Sequence, residues 1–358
     1  MPTTTLPLDQ VLEGDCVELM ATLPAACVDL AFADPPYNLQ LTTDLWRPNS
    51  TRVEGVADQW DRFESIEAYD AFTRGWLAAA RRVLKPDGTL WVIGTYHSIH
   101  RVGSILMDLG YWILNEVVWI KSNPTPQMRG VRFCNAHETM LWARPRRTAP
   151  RCTLNYRGMK AGNEDMQMRS DWEIPVCGGS ERRRIDGRKA HSTQKPEALL
   201  HRVIASTSRR GDLVLDPFCG TGTTAAVAKR LGRRFITIDR DPGYVALARE
   251  RVALERPSRE GLEDAIWVDA PRTRVPFVSL VEAGVLPEGT QLRFRGADIL
   301  ATVREDGSLV AGGRRGSIHR LGAAFLNAPA CNGWRHWEYR DGDGQWRLID
   351  ELRPEPGE

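Results

Sequence analysis

The chain has 358 residues, 42% hydrophobic and 26% charged, with 48 Lys+Arg against 46 Asp+Glu and a formal net charge of +2. That length suits about two domains at the usual ~150 residues each, and a mean hydropathy of −0.37 with no apolar run near the ~18 residues of a bilayer span argues against a membrane protein. Seven scattered cysteines without a C-x-x-C pair argue against a disulfide framework and a zinc site, and Met1-Pro2-Thr3-Thr4-Thr5 lacks a signal's basic and apolar regions, so a cytoplasmic protein without a metal is expected.

The first 256 residues alternate between strand and helix patterns. Val11–Glu13 reads as a short strand, Asp15–Leu23 as a helix, and Val28–Ala33 as a compact buried strand running into Asp34-Pro35-Pro36-Tyr37. A long polar loop over 38–63 carries Trp46 and Trp60. Residues 66–84 have helical periodicity, stopped by Pro86-Asp87-Gly88, and strands follow at 89–93, 113–120 and 139–143 with a helix near 98–109. Residues 145–192 are basic, rich in Arg and Gly, and without a clear period, and they read as an insertion beside the sheet. Helix 196–207, strand 213–215, helix 223–231, strand 235–238 and helix 242–255 complete an alternation that implies a parallel α/β sheet. Past a linker at 257–271, short β-like runs and Asp-Gly turns define a separate small α+β domain over 272–352. Charge is uneven: 19 Lys+Arg against 8 Asp+Glu lie between Lys121 and Arg210, the pattern of a polyanion-binding surface or of a solvated charged face.

Two motifs carry chemistry. In Asp34-Pro35-Pro36-Tyr37 the prolines stiffen the backbone, so that the Asp34 carboxylate and the Pro35 carbonyl form a fixed pair of acceptors. Such a pair suits the two N–H bonds of an exocyclic amino group, and Tyr37 offers a face for stacking a planar ring. In Asp216-Pro217-Phe218-Cys219-Gly220-Thr221-Gly222-Thr223 the glycines of Gly220-x-Gly222-x-x-Ala225 allow close approach to a nucleotide-like ligand, and Asp239 ends the next strand where an acid binds ribose hydroxyls. Taken alone, the second motif is also that of a nicotinamide-dependent dehydrogenase. Cys219 is read as a packing residue, and His137 as a structural histidine.

Together the motifs resemble the amino-methyltransferases that use S-adenosylmethionine, in which D-P-P-Y faces x-F-x-G-x-G. Because the catalytic motif precedes the cofactor motif, the order is similar to the β class of DNA amino-methyltransferases. The resemblance implies a circularly permuted Rossmann-like methyltransferase sheet in which the strand before Asp15 lies beside the strand ending in Asp239. It also implies that Asp15 and Cys16 contact the cofactor adenine, and that Lys195, in His191-Ser192-Thr193-Gln194-Lys195-Pro196, serves the methionine carboxylate. Asp216, Phe218, Gly220, Thr221, Gly222, Thr223 and Asp239 complete the expected cofactor set, and Asp34, Pro35, Pro36 and Tyr37 the catalytic one.

Phe32–Leu41, Trp119-x-Lys121-x-Asn123-Pro124, His137-Glu138, Ser317-x-His319-x-Leu321-Gly322-Ala323 and Cys331-Asn332-Gly333-Trp334 extend the likeness to nearly the whole chain. They resemble the cell-cycle-regulated adenine methyltransferases of alphaproteobacteria, whose C-terminal module is an adenine-methylase-associated domain. That resemblance implies N6 methylation of adenine in G-A-N-T-C, double-stranded DNA as partner, a homodimer at the nucleoid, and no restriction endonuclease partner. Residues 121–192 would then form the target-recognition insertion, with Lys121, Asn123, Arg129, Arg132, Arg182, Arg183, Arg184, Arg188 and Lys189 expected on DNA. Cytosine-N4 methylation fits the same acceptor pair, and a catalytically silent DNA-binding regulator fits the same basic stretch.

Overall fold

The computed structural model describes residues 5–39, 61–126, 131–163, 166–185, 187–257, 276–328 and 331–353. Trp46, Trp60, Arg129 and nearly all of the 257–271 linker lie outside them. The chain divides into two compact units, Met1–Asn155 with Arg169–Glu263, and Tyr156–Met168 with Asp264–Glu358.

The first unit is built on an eight-stranded sheet. Its strands are β1 (Gln10–Glu13), β2 (Val28–Ala33), β3 (Leu84–Gly94), β4 (Trp112–Lys121), β5 (His137–Arg144), β6 (Asp171–Ile174), β9 (Leu213–Asp216) and β10 (Arg234–Asp239). A two-residue pair, β7 (Arg184–Ile185) and β8 (Arg188–Lys189), forms a separate small ribbon. The helices of this unit are α1 (Cys16–Thr22), α2 (Ile66–Val83), α3 (Ile99–Asp108), α5 (Glu197–Thr207), α6 (Thr223–Arg230) and α7 (Pro242–Leu254). Helix α4 (Tyr156–Ala161) belongs to the second unit.

Strand order is β1-β10-β9-β2-β3-β5-β4-β6. The expected pairing of the first strand beside the one ending in Asp239 is present, with Glu13 opposite Asp239. Strands β2 and β9 are neighbours, Leu30 opposite Val214 and Ala31 opposite Leu215. Their residues are almost all buried, as strands covered on both faces must be.

Three expectations need correction. The sheet is mixed: β5 runs antiparallel to both β3 and β4, which leaves β5 alone in its direction among the described strands of this sheet. Residues 145–192 are more ordered than an insertion: β6 adds to the sheet beside β4, and 156–168 cluster with the C-terminal unit. Pro86-Asp87-Gly88 does not separate helix from strand, because β3 already begins at Leu84. The extra residues bulge from it between the pairs Val28–Leu84 and Leu30–Thr89. A Cβ at Gly88 would stand 2.9 Å from the Val28 carbonyl oxygen, so the bulge takes glycine for its closeness to β2.

Helices α1, α2 and α3 bury Met20, Trp76, Leu77, Ala80, Val102 and Leu106 in one core with apolar residues of β2, β3, β5, β9 and β10. The second unit has a core of its own, in which the rings of Phe294 and Trp337 meet edge to face at 5.0 Å. An antiparallel sheet, ordered β14-β13-β12-β11-β15-β16, carries it. Its strands are β11 (Gln291–Phe294), β12 (Leu300–Val303), β13 (Leu309–Ala311), β14 (Arg314–Gly316), β15 (Trp337–Arg340) and β16 (Trp346–Leu348), with helices α8 (Val278–Glu282) and α9 (Ile318–Phe325). No helix among the described residues is long and apolar enough to cross a membrane.

Gly222 opens α6 with φ +77°, and a Cβ there would come within 2.8 Å of the Ala248 methyl on α7. Gly222→Ala therefore combines a left-handed backbone with overpacking between two helices. Denaturant unfolding is expected to show a loss of about 3 kcal/mol; an unchanged midpoint would mean that α7 yields freely.

Candidate active site

Adjacent parallel strands end at the same edge of a sheet. Beyond the carboxyl ends of β2 and β9 the turn at Asp34 and the turn at Asp216 therefore meet, at the point where strand order reverses. A cavity of about 620 Å³ opens there, lined by both motifs, by Gly14–Cys16, by His191–Lys195 and by Asp239–Pro242. That volume suits a ligand of nucleoside-conjugate size.

The Asp34-Pro35-Pro36-Tyr37 turn is held from several directions. Asp61 accepts the backbone N–H groups of Tyr37, Asn38 (2.8 Å) and Leu39 (2.9 Å), and the Tyr69 hydroxyl donates to the Pro36 carbonyl at 3.2 Å. Tyr37 is buried, and its hydroxyl lies 2.8 Å from Asp34 Oδ1 and 3.1 Å from Glu138 Oε2. Lys195 Nζ stands 2.7 Å from Asp34 Oδ2 and 5.1 Å from the centre of the Tyr37 ring. Lys121 pairs with Glu138 Oε1 at 2.8 Å. Burial pushes the Asp34 carboxyl up, against the pull of Lys195. For Glu138 burial acts in the same direction but is outweighed by Lys195 and Lys121, so its carboxyl is held below the usual range. Burial and the two neighbouring carboxylates push the Tyr37 phenol far up, which keeps it a neutral donor.

The glycine turn carries the other half. Asp216 is buried and accepts the Phe218 N–H at 2.9 Å; burial pushes its carboxyl up to about 7. Phe218 packs edge-on against Trp76 at 5.3 Å. The Asp239 carboxylate accepts N–H bonds from Gly220 (2.9 Å) and Asp241 (3.0 Å), tying the glycine turn to the start of α7. Gly220 lies against the His191 ring, whose pKa burial, Lys195 and Arg182 press down to about 4. Asp15 caps α1 by accepting from Val17 and Glu18, and burial pushes the Cys16 thiol up to about 12. Cys219 is buried with its thiol pushed well up by that burial, as a packing residue should be. Thr221 lines the cavity, and its hydroxyl oxygen is buried without a hydrogen-bond partner. An orphaned polar atom of this kind is the mark of a site shaped for a polar ligand.

Cavity volume, orphaned hydroxyl and glycine turn fit S-adenosylmethionine. Asp15, Cys16, Phe218, Gly220, Thr221, Thr223 and Asp239 all line the cavity, and Asp216 and Lys195 do too. Gly222 does not; its work is the contact with α7.

The expected DNA contacts divide. Lys121 is committed to Glu138, Asn123 accepts the Val176 N–H at 2.8 Å, and Arg182 donates to the carbonyls of Cys177, His191 and Ser192. Lys121 and Arg182 brace the site from within, whereas Asn123 is exposed and holds the chain at Val176. Arg183 is half-buried, while Arg184, Arg188 and Lys189 on β7 and β8 are exposed, as is Arg132, which donates to the Tyr96 hydroxyl. His137 is exposed rather than an enclosed structural histidine. Asp61 has no place in the sequence motifs and Glu138 no role beyond the His137-Glu138 likeness, because the partners of each are far away in the chain.

Fold and site are those of a methyltransferase acting on an amino group. The DNA methylase family of N6 and N4 methyltransferases matches residues 28–250, and a module described as Restriction Enzyme Adenine Methylase Associated matches 267–355. The chain belongs to that DNA methylase family. It is a DNA methyltransferase that uses S-adenosylmethionine. It is 42% identical to the Type II methyltransferase M.HinfI of Haemophilus influenzae over 349 residues, 97% of this chain and 96% of that one. It is 39% identical to the Type II methyltransferase M2.DpnII of Streptococcus pneumoniae over 246 residues, 68% of this chain and 90% of that one. Two solved structures share the fold. The M1.HpyAVI–SAM complex has a TM-score of 0.51 at 23% identity, covering 68% of this chain and 99% of that one. The PvuII cytosine-N4-specific DNA methyltransferase has a TM-score of 0.53 at 20% identity, covering 72% and 89%.

Asp61→Ala would strand three backbone donors beside the catalytic turn. It is expected to cost about 3 kcal/mol in denaturant unfolding and to lower kcat by about 10²-fold; an unaltered kcat would show that the turn keeps its shape unaided. A second expectation concerns pH. With a folded pKa of about 7 against an ordinary 3.8, Asp216 contributes stability that is fully present below 3.8 and lost as pH rises through 7. Between about pH 5.5 and 8, Asp216→Asn should therefore lose less stability than the wild type. Equal losses in paired unfolding curves would remove Asp216 from the pH dependence.

Proposed function

We propose that the protein methylates the exocyclic N6 of adenine in double-stranded DNA, at G-A-N-T-C. The observation that carries this reading is a single cavity lined by both the Asp34-Pro35-Pro36-Tyr37 turn and the Gly220–Thr221 turn. Adenine as the base is supported by the match to the adenine-methylase-associated module, and G-A-N-T-C by the resemblance to the cell-cycle-regulated enzymes. The same resemblance supports action in the cell cycle as a homodimer at the nucleoid, without a restriction partner. The two-unit layout from 28 to 355 supports residues 272–352 as the associated domain.

The amino nitrogen of adenine is a poor nucleophile, because its lone pair is spread into the ring. Hydrogen bonds from its two N–H groups to the Asp34 carboxylate and the Pro35 carbonyl turn that lone pair out of conjugation and aim it. When bound, S-adenosylmethionine supplies a methyl group activated on a sulfonium. Asp34, whose proton affinity burial raises, takes the proton that the nitrogen sheds. Positioning and fixed dipoles provide the acceleration, and no covalent enzyme adduct is required. Inside a duplex the amino group is paired and shielded, so the base leaves the stack to reach Asp34, with Tyr37 beside it. Asp15, Cys16, Asp239, Gly220 and Thr221 are the residues we assign to the cofactor, and Arg132, Arg184, Arg188 and Lys189 those we assign to the phosphates; Lys195, on Asp34 at 2.7 Å, we assign to the acceptor site instead of the methionine carboxylate.

Unmethylated plasmid incubated with the protein and S-adenosylmethionine should yield N6-methyladenine on nucleoside mass spectrometry. N4-methylcytosine would keep the chemistry and change the base. Absence of any methylated base would favour a silent DNA-binding regulator. Asp34→Ala should abolish turnover, a loss of more than about 10³-fold, with cofactor affinity nearly unchanged. Retained turnover would overturn the acceptor pair.

A further inference from the structure

Two donors in this site are each shared by two carboxylates. The Tyr37 hydroxyl reaches Asp34 Oδ1 at 2.8 Å and Glu138 Oε2 at 3.1 Å, yet has only one proton to give. Lys195 Nζ sits 2.7 Å from Asp34 Oδ2 and 3.8 Å from the same Glu138 oxygen. Both oxygens of the acceptor that must receive the target amino group thus already accept a donor of the chain itself, so the amino group competes with them for the same carboxylate. Glu138 cannot drift to meet them: it is buried on β5, and Lys121 on β4 holds its other oxygen at 2.8 Å.

On the reading of Asp34 as the amino-group acceptor, we propose that Glu138 is a positioning residue for methyl transfer. It takes over the Tyr37 hydroxyl and the Lys195 ammonium when the target amino group claims Asp34. Each donor changes partner by a small movement, with no proton or covalent bond transferred. Without a second carboxylate, Lys195, 6% exposed, would have to stay on Asp34 or be left in a buried site with no counter-charge and only the Thr193 carbonyl, at 3.2 Å, to receive it. The charged and titratable groups facing Asp34 are Tyr37 on its own turn, Glu138 from β5, Lys195 from the segment before α5, and Asp216 from the end of β9. Lys121 acts on Glu138, and Arg182 and His191 stand near Lys195.

The experiment uses the full chain, a G-A-N-T-C duplex and S-adenosylmethionine. Glu138→Gln should lower kcat by about 10²-fold while the cofactor Kd stays within about threefold, and Glu138→Asp should recover part of the rate. The acid limb of kcat should also move to lower pH in Glu138→Gln. Asp34 then loses a negative neighbour and keeps Lys195, so it ionises more readily. A kcat within about threefold of the wild type, or a fall with an unmoved pH profile, would overturn the proposal. A crystal structure of the wild type with duplex and the non-reacting product S-adenosylhomocysteine reads the same point without a variant. Lys195 Nζ should lie on Glu138; Lys195 still on Asp34, or moved to the cofactor carboxylate, would overturn it. A wild type that transfers no methyl group defeats the functional reading and this inference with it, whereas an active wild type with an active Glu138→Gln defeats the inference alone.

Discussion

The catalytic unit depends on one parallel pairing between strands from distant parts of the chain, β2 and β9. Leu30 faces Val214 and Ala31 faces Leu215, so the turns that follow each strand emerge side by side. Asp29 helps to fix the register from within β2: its carboxylate accepts the Leu213 N–H at 2.8 Å and pairs with Lys85 at 2.6 Å. A slip of one residue would turn every side chain of β2 to the opposite face. It would also move Asp34 about one strand rise, 3.3 Å, along the edge, beyond hydrogen-bond reach of its partners. The order of the motifs along the chain does not matter to this geometry. Only the neighbouring of two strand ends does, which is how a catalytic turn can precede a cofactor turn.

Once the turns meet, charge balance becomes the governing problem. Asp34 and Glu138 bring two carboxylates into a buried place, and Lys121 and Lys195 bring two ammonium groups. Removing such ions from water is costly, and only a balanced, fully bonded set is tolerated. The set is nevertheless uneven. Glu138 stands between both lysines and is stabilised as an anion, whereas Asp34 has one lysine and a raised proton affinity. That inequality suits the role proposed for Asp34, as an acceptor that also takes up a proton, next to a carboxylate that stays charged.

Much of this was legible in the sequence because it is local. Strands buried on both faces appear as short unbroken apolar runs, and Asp34-Pro35-Pro36-Tyr37 and Gly220–Gly222 are contiguous signatures at their ends. The neighbouring of Glu13 and Asp239 followed from the family's strand order. What escaped depends on distance. Asp61 reaches back 24 residues to Tyr37, and Glu138 is 101 residues from it, so no local pattern shows either contact, although His137-Glu138 itself carries part of the family likeness. The reversal of β5 escaped for a related reason, since an apolar strand has the same composition in either direction. The alternation of strands and helices argued for a parallel sheet, and the direct connection from β4 to β5, without a helix among its described residues, is what breaks the rule.

The basic stretch shows the limit of counting charges. A guanidinium braced against backbone carbonyls and one presented to solvent contribute equally to a net charge but not to a surface. Arg182 spends its donors on Cys177, His191 and Ser192, and thereby shapes the loop that delivers Lys195 to Asp34. Lys121 is consumed by Glu138 in the same way. The exposed cations of Arg184, Arg188 and Lys189 sit on a two-residue ribbon only a few residues upstream of His191 and Lys195. The stretch therefore has two jobs divided residue by residue: its inner cations build the acceptor site, and its outer ones leave positive charge at the surface. Sequence-local charge density cannot separate the two, because the decisive quantity is whether each cation is drawn in against the site or left exposed; Arg184 is exposed even though it donates to the Gly187 carbonyl at 3.0 Å.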